Sequence, residues 1–454
     1  MRISNPASGQ VIAEVGAWTQ DQIEQAFFKA KIAQIDWAKR DVSDRLSVVQ
    51  KFGDLVQKNS NTLAKVLTLE TGKPLQQSIN EITGADNRIV HLTANAGKWL
   101  ASEVMDDGPT REEIHYEPLG VIVNISAWNF PYNVGFNVFL YALVAGNAVV
   151  YKPSEFATLT GLEFERLLHD AGLPEHLFHC VVGAGEVGSW LTDLPADGFF
   201  FTGSHATGQK IAMKVAERLV PVQLELGGKD PLYVADDVLD VKQAAANGAE
   251  GAFYNLGQSC CAVERIYVHE AIYDEFVAAF LVEVDSYKIG DPDSLDTFIG
   301  PFTRESQVDF MLGQIEDATS KGAKVLLGGN RLDRSGNYMA PTVLVNVDHT
   351  MSLMIDESFG PIVGIQKVSS DGQAVQLMND TEFGLTSAVF TSNEDRAHAI
   401  LKQMNSGTVY WNCCDRVSAN VPWSGRGKSG LGSTLSYQGI RAFVQPKAWH
   451  LRKD

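Results

Sequence analysis

Cysteine is scarce in this sequence, and long apolar runs are missing. Five cysteines occur among 454 residues, an odd number without the spacing of a disulfide framework or a zinc site. The longest apolar stretch, 138–151, is interrupted by Gly146 and Asn147 and is too short to span a bilayer. The N-terminus also lacks an apolar signal core. These absences predict a protein of the reducing cytoplasm that has no metal site and no membrane association.

Positive charge is also in short supply. Lysine and arginine total 37 against 55 aspartates and glutamates, which gives a formal net charge of −18. An acidic surface repels a phosphate backbone, so nucleic acid is not expected as a partner. The hydrophobic fraction of 45% is typical of a globular protein. Because 454 residues exceed what one core usually supports, we expect two or three domains.

The order of apolar segments predicts an α/β fold. The first hundred residues have the pattern of helices, the first of them capped by Thr19. From Val121 onward, short apolar runs alternate with amphipathic segments, as in right-handed βαβ units of a parallel sheet. A second block of this kind occupies 231–411. The tail from Thr434 resembles an exposed strand suited to pairing across a subunit interface.

Cys260 is a candidate nucleophile. It follows Asn255 and Gly257, which favour a turn, and a thiol on a turn beside backbone N–H groups can attack an electrophile. A free cysteine is also commonly a small buried hydrophobe. Both interpretations fit this segment when it is taken alone.

Two further segments offer groups for acyl chemistry. Glu225 lies in an apolar strand before a Gly-Gly turn, where burial would raise its pKa and suit a general base. The alternative is a simple ion pair with Lys229. Asn129 offers amide donors to an oxyanion, although asparagine before an aromatic residue and proline is also common turn chemistry.

Glycine turns suggest a nucleotide site without establishing one. The segment 183–188 matches G-x-G-x-x-G but lacks the acidic residue expected about 20 positions later. A second turn carries Gly203 and Ser204, and Ser204 can cap a helix whose N-terminus would bind phosphate. Lys152 and Glu155 end a strand and can hydrogen-bond a ribose diol, where a carboxylate disfavours a 2′-phosphate. Plain turns and a solvated surface pair are the alternatives.

Taken in order, these segments resemble the aldehyde dehydrogenase superfamily. The matching runs are Trp-Asn-Phe-Pro at 128–131, Lys-Pro-Ser-Glu at 152–155, Phe-Thr-Gly-Ser at 201–204, Leu-Glu-Leu-Gly-Gly-Lys at 224–229, Gly-Gln-Ser-Cys at 257–260, Glu-Ser-Phe-Gly-Pro at 357–361 and 422–430. The likeness covers nearly the whole chain. It implies an α/β fold with two doubly wound parallel-sheet domains, one Rossmann-like and one catalytic, plus a small β oligomerisation arm.

The resemblance also implies domain limits and residue roles. The NAD-binding domain would comprise 1–107 and 124–226, the catalytic domain 227–432, and the oligomerisation arm 108–123 and 433–454. Cys260 would be the nucleophile, Glu225 the general base, and Asn129 with the Cys260 N–H the oxyanion hole. Cofactor-binding positions would be Ile125, Trp128, Lys152, Ser154, Glu155, Gly185, Gly203, Ser204, Thr207, Leu226, Glu357 and Phe359. Positions of the substrate tunnel would be Phe130, Asn133, Asn137, Ser259, Cys261, Asp415, Val417 and Trp423.

The implied reaction oxidises an aldehyde to its acid with NAD, or with NADP as the alternative. It proceeds through a thiohemiacetal and a thioester on Cys260, and Glu225 activates the hydrolytic water. The mixed polar and aromatic tunnel favours a small or medium polar aldehyde, such as a semialdehyde. A homo-oligomer, either dimer or tetramer, is expected.

Three other functions remain as alternatives. A CoA-acylating relative is disfavoured by Glu225, since a water-activating base suits hydrolysis. A non-catalytic relative would have lost the nucleophile, the base or the oxyanion donor, and all three are present. A cysteine hydrolase would need a histidine partner, and no histidine lies in a recognisable partner motif. The sequence departs from the family pattern at Ala127 and Trp423, and Trp423 would narrow the tunnel.

Overall fold

The computed structural model describes residues 1–106 and 108–453. The helices are α1 (Gln20–Ala38), α2 (Val42–Lys58), α3 (Ser60–Thr71), α4 (Leu75–Trp99), α5 (Pro131–Val144), α6 (Thr158–Asp170), α7 (Gly185–Leu191), α8 (His205–Val215), α9 (Val241–Phe253), α10 (Tyr273–Ser286), α11 (Glu305–Ser320), α12 (Ser352–Ile355), α13 (Asp371–Asn379), α14 (Glu394–Leu401) and α15 (Ser436–Arg441). The strands are β1 (Arg2–Ser4), β2 (Val11–Glu14), β3 (Glu103–Asp106), β4 (Thr110–Pro118), β5 (Val121–Ile125), β6 (Ala148–Lys152), β7 (Phe178–Cys180), β8 (Gly198–Thr202), β9 (Val222–Glu225), β10 (Asp230–Val234), β11 (Val263–His269), β12 (Lys324–Leu327), β13 (Thr342–Val345), β14 (Ile362–Val368), β15 (Thr386–Phe390), β16 (Thr408–Trp411), β17 (Gly430–Leu431) and β18 (Val444–Arg452).

The N-terminal hundred residues are mainly helical, as the sequence predicts. Thr19 caps α1 in a reciprocal arrangement, because its Oγ1 accepts the Gln22 N–H at 3.3 Å while Gln22 accepts the Thr19 N–H at 2.8 Å. The prediction is wrong at the start of the chain, where β1 and β2 form a short antiparallel pair. That pair is too short for a period-2 pattern to stand out in the sequence.

A six-stranded sheet forms the first α/β unit. Its order is β17-β9-β8-β5-β6-β7, and all pairs are parallel except β17 with β9. Its central strands read as continuous apolar runs because helices cover both faces. The longest apolar stretch of the sequence includes the end of α5, whose residues are nearly all buried against this sheet. Nowhere in the described ranges does a helix combine the length and hydropathy needed to cross a membrane.

A seven-stranded sheet forms the second unit, in the order β12-β13-β14-β11-β10-β15-β16. Only β12 runs antiparallel to its neighbour. This sheet has its own apolar core, separate from that of the first unit. The predicted architecture of two parallel-sheet units is therefore confirmed.

A three-stranded antiparallel sheet, β18-β4-β3, stands apart from both units. Its first strand, β3, begins at Glu103, which is earlier than residue 108, where the oligomerisation arm was predicted to begin. The predicted arm extended to residue 123, but β5 begins at Val121 and belongs to the six-stranded sheet. The tail is not a strand throughout, because 436–441 form α15 before β18 begins at Val444. Nearly all of β18 is exposed.

The six-stranded sheet gathers the predicted cofactor and catalytic segments at one edge. Strands β9, β8, β5 and β6 are adjacent and parallel, so their carboxyl ends lie side by side. Glu225 ends β9, Gly203 follows β8, Ile125 ends β5 and Lys152 ends β6. In open parallel sheets this edge is where ligands bind.

Candidate active site

Cys260 follows a strained turn that connects α9 to β11. The short 3₁₀ segment Tyr254–Gly257 contains three consecutive residues with positive φ, at 51° for Asn255, 57° for Leu256 and 63° for Gly257. Gly257 packs against the carbonyl oxygen of Gly360 so closely that a Cβ would collide with it. The predicted turn is present, and it leaves the Cys260 side chain half-buried rather than in the core.

Asn129 lies beside this turn and is held from several sides. Its Nδ2 donates to the Gln258 carbonyl at 3.1 Å. Its own carbonyl accepts hydrogen bonds from Lys73 Nζ at 2.5 Å and from Asn255 Nδ2 at 3.2 Å. An amide nitrogen carries two N–H groups, so one remains for another acceptor.

A buried ion pair between Lys73 and Glu81 holds the backbone of the segment 129–132 in place. Lys73 Nζ donates to Glu81 Oε2, and both side chains are almost fully shielded from solvent. Glu81 also accepts the Tyr132 N–H at 2.9 Å, and Lys73 lies 3.7 Å from the centre of the Phe130 ring. Sequence reasoning missed this pair, since no local pattern links it to a segment more than 50 residues later.

Glu225 is a buried carboxyl at the end of β9. Burial raises its pKa to about 7, opposed by the Thr434 hydroxyl, which donates to Oε1, and by the positive charge of Arg88. The alternative of an ion pair with Lys229 is wrong. Lys229 Nζ donates instead to Glu264 Oε2 at 2.6 Å and to Ser358 Oγ at 3.0 Å. A carboxyl with a pKa near 7 can exchange protons at neutral pH.

Two cavities meet at the thiol and this carboxyl. The larger has a volume of about 600 Å³ and the smaller about 360 Å³. Cys260, Glu225 and Val134 line both. A molecule in either cavity therefore reaches the same two reactive groups.

The larger cavity contains every residue assigned to the substrate tunnel. These are Phe130, Asn133, Asn137, Ser259, Cys261, Asp415, Val417 and Trp423. Asp415 accepts hydrogen bonds from Ser259 Oγ at 3.2 Å and from Cys261 Sγ at 3.0 Å. Burial raises the pKa of Asp415. Sequence reasoning missed other lining residues, including Arg88, Glu250, Tyr254 and Cys413, whose segments carry no local signal.

The smaller cavity contains half of the positions assigned to the cofactor. Trp128, Gly203, Ser204, Leu226, Glu357 and Phe359 line it, whereas Ile125, Lys152, Ser154, Glu155, Gly185 and Thr207 do not. Ser204 is the N-cap residue that precedes α8, but its side chain does not bond the helix backbone as predicted. Its Oγ donates instead to Thr207 Oγ1 at 3.1 Å. Lys152 Nζ lies 4.0 Å from Glu155 Oε2 at the end of β6.

The groups around the smaller cavity suit a dinucleotide. The N-terminus of α8 and the Arg304 guanidinium, whose buried Nε has no hydrogen-bond partner among the described residues, favour a pyrophosphate. Glu357 offers carboxyl oxygens to ribose hydroxyls. Burial, followed by the charge of Glu264, raises the pKa of Glu357 to about 8. Sequence reasoning missed Arg304, Gln307 and Phe310, which also line this cavity.

Glu264 fixes the loop that carries Glu357 and Phe359. It accepts the backbone N–H groups of Ser358 and Phe359, each at 2.8 Å, while Lys229 neutralises its charge. Phe359 has a positive φ of 51° and packs edge-on against Trp128 at 5.7 Å. The loop is therefore held in an uncommon backbone conformation at the smaller cavity.

Comparisons with known proteins agree with this geometry. The model of the aldehyde dehydrogenase family matches residues 1–449. Betaine aldehyde dehydrogenase of Sinorhizobium fredii is 34% identical over 97% of this chain and 92% of its own length. The enzyme of that name from Cereibacter sphaeroides is 33% identical over 98% of this chain and 92% of its own.

Solved structures match over the full length. Betaine aldehyde dehydrogenase of Staphylococcus aureus, in complex with NAD+, has a TM-score of 0.96 at 30% identity, covering 100% of this chain and 92% of that one. The aldehyde dehydrogenase KauB of Pseudomonas aeruginosa has a TM-score of 0.97 at 30% identity, with coverages of 100% and 93%. By sequence and by fold, this chain belongs to the aldehyde dehydrogenase family.

Proposed function

We propose that this enzyme oxidises an aldehyde to its carboxylic acid with NAD+, through a covalent adduct on Cys260. The observation that carries the proposal is the shared lining of the two cavities by Cys260 and Glu225. One cavity would hold the aldehyde and the other the nicotinamide end of the cofactor. Both would then meet at a thiol and a carboxyl with a pKa near 7.

The cofactor assignment rests on fit and on relatives. The S. aureus relative was solved with NAD+. In this chain, Gly203, Ser204 and Arg304 would hold the pyrophosphate, and Glu357 the nicotinamide ribose. Lys152 and Glu155 would bind the other ribose, where a carboxylate accepts a 2′-hydroxyl and repels the 2′-phosphate of NADP. When bound, the nicotinamide supplies the acceptor for the hydride that leaves the adduct.

The chain's own residues would perform the remaining chemistry. The Cys260 thiolate attacks the aldehyde carbon, and the free Asn129 N–H with the Cys260 backbone N–H stabilises the resulting oxyanion. After oxidation, the acyl group remains on sulfur as a thioester. Glu225, ionised above pH 7, removes a proton from water so that hydroxide attacks the thioester and releases the acid.

The substrate proposed is a small or medium polar aldehyde rather than betaine aldehyde. A quaternary ammonium group is recognised by open aromatic faces and negative charge. Of the aromatic residues that line the larger cavity, Phe130 already lies against Lys73 Nζ at 3.7 Å, which leaves Tyr254 and Trp423. The Arg88 guanidinium in the same cavity repels a second cation. Two members of one family that are about one-third identical need not act on the same substrate.

The test is a panel of aldehydes assayed with NAD+ and with NADP+, followed by the absorbance of the reduced cofactor. Oxidation without added thiol, with a higher kcat/KM for NAD+, is expected. Strict dependence on coenzyme A would favour the acylating alternative. Absence of oxidation across the panel, despite cofactor binding, would contradict the proposal.

We also infer the assembly and the compartment. The exposed strand β18 pairs with β4 on one side only, so its free edge can pair with a second copy in a dimer or tetramer. All five cysteines are free, which suits the reducing cytoplasm.

A further inference from the structure

Arg88 projects from α4 into the larger cavity. Its Nη1 donates to the Asn137 side-chain oxygen at 2.8 Å and to the Asn133 carbonyl at 3.2 Å. It forms no ion pair within the described residues, although the negative charges of Glu225 and Glu81 act on it from a greater distance. Burial lowers the pKa of this guanidinium, which means that its position in the fold disfavours the charged form.

The guanidinium keeps donors that the protein does not use. Arginine has five N–H donors in a planar fork, and the two hydrogen bonds to α5 engage Nη1 alone. The Asn133 side-chain oxygen beside it also has no hydrogen-bond partner among the described residues. This wall of the cavity therefore presents a cation whose Nε and Nη2 donate no hydrogen bond within the described residues.

The acids that line the larger cavity are already engaged. Glu81 is paired with Lys73, and Glu225 accepts the Thr434 hydroxyl. Asp415 accepts hydrogen bonds from Ser259 and Cys261. At the exposed rim, Glu250 lies 4.0 Å from Arg416. Arg88 is thus the half-buried cation of this cavity that forms no ion pair within the described residues, whereas the acids Glu225 and Asp415 accept hydrogen bonds from neutral groups.

We propose that Arg88 is a substrate subsite that binds a carboxylate at the end of the aldehyde remote from the carbonyl. The proposal rests on the proposed function, since it places the aldehyde carbon at Cys260 in the same cavity. A carboxylate matches the planar fork of arginine and accepts two parallel hydrogen bonds from it. The substrate class is therefore an aldehyde that carries a carboxylate, a semialdehyde of a dicarboxylic acid.

The kinetic test compares two aldehydes of equal length, a four-carbon aldehyde with a terminal carboxylate and its neutral counterpart. The native enzyme should show the higher kcat/KM for the carboxylate form. Arg88→Gln should lower that value by about 10- to 100-fold, mainly through KM, because hydrogen bonds to a charged group are lost. The value for the neutral aldehyde should fall less, and only through the higher pKa that Glu225 acquires when the Arg88 charge is lost. Because that effect is common to both aldehydes, the ratio of the two values should still fall by about tenfold or more. Arg88→Lys keeps the charge but not the fork and should lie between the two.

A binding measurement separates this inference from the reaction itself. The four-carbon dicarboxylate should raise the Tm of the native protein and leave that of Arg88→Gln unchanged. Absence of that shift in the native protein would overturn the subsite. The subsite would also be overturned if Arg88→Gln lowered kcat/KM equally for both aldehydes. Arg88 would then act by positioning Asn137 or by its charge on Glu225. If no aldehyde is oxidised but the shift depends on Arg88, the proposed function fails while the subsite stands.

Discussion

Glu225, the proposed general base, lies at the buried end of a strand. Because burial raises its pKa to about 7, the carboxylate needed to activate water is lost as the pH falls below that value. We expect the rate of thioester hydrolysis to fall about tenfold per pH unit below pH 6. A pH–rate profile of steady-state turnover measures this. A flat profile down to pH 5 would show that Glu225 is not the base or that hydrolysis is not rate-limiting, and single-turnover hydrolysis of the acyl-enzyme distinguishes the two.

Cys260 and Cys261 are adjacent thiols in different environments. Cys260 is half-buried where the cavities meet, whereas Cys261 is buried and donates to Asp415. Cys260→Ser should lower aldehyde oxidation by at least about 1,000-fold, because a hydroxyl is a far weaker nucleophile at neutral pH. NAD+ binding, measured by calorimetry, should persist.

Cys261→Ser is the matched comparison for that experiment. It keeps a hydrogen-bond donor toward Asp415 and should retain oxidation within about tenfold. Loss of activity in Cys261→Ser with retention in Cys260→Ser would reverse the assignment of the nucleophile.

At the level of elements, the pairing of β17 with β9 brings the base and its hydrogen-bond donor together. Gly430 lies opposite Glu225 in that pair, and the chain then returns so that Thr434 donates to Glu225, 209 residues away in sequence. Thr434→Val removes this donor and should raise the pKa of Glu225 further. The pH–rate profile should therefore shift to higher pH, while Thr434→Ser should preserve it. An unshifted profile in Thr434→Val would exclude this role for the hydroxyl.

The Lys73–Glu81 pair connects α4 to the segment that holds Asn129. Lys73→Met would leave Glu81 as an unpaired buried charge, so the free energy of unfolding should fall by about 3–5 kcal/mol. Denaturant titration measures this loss. The double variant Lys73→Met with Glu81→Leu should recover much of the stability, since both charges are then absent. If the double variant does not recover stability, the loss is due to the missing hydrogen bond from Lys73 to the Asn129 carbonyl.

On the scale of the whole molecule, β18 is exposed after Val444 and, within the described residues, pairs with β4 along one edge only. Removal of 446–454 should reduce the assembly to smaller species, because the strand that would pair with a second copy is then lost. Sedimentation velocity measures the change. An assembly of unchanged size would place the interface elsewhere.

Much of the site could be predicted because its residues follow local rules. The turn at Asn255 and Gly257, the glycine turn before α8 and the apolar strand ending in Glu225 each carry their own signal within a few residues. The order of strands and helices likewise predicted both parallel sheets. The roles of Lys73, Arg88 and Thr434 were not predicted, because the residues they contact at the site are 49 to 209 residues away and no local pattern encodes such a contact.

By itself, the amino-acid sequence determined the family and the α/β architecture and predicted the nucleophilic thiol, because periodicity, turn chemistry and ordered motifs are local properties. Only the tertiary structure decided which groups surround that thiol. Packing distant segments against one sheet edge buries Glu225, directs Lys229 to Glu264 instead, and leaves Arg88 unpaired in the larger cavity. Burial and charge pairing depend on what the folded chain places within a few ångströms, and sequence spacing does not specify that.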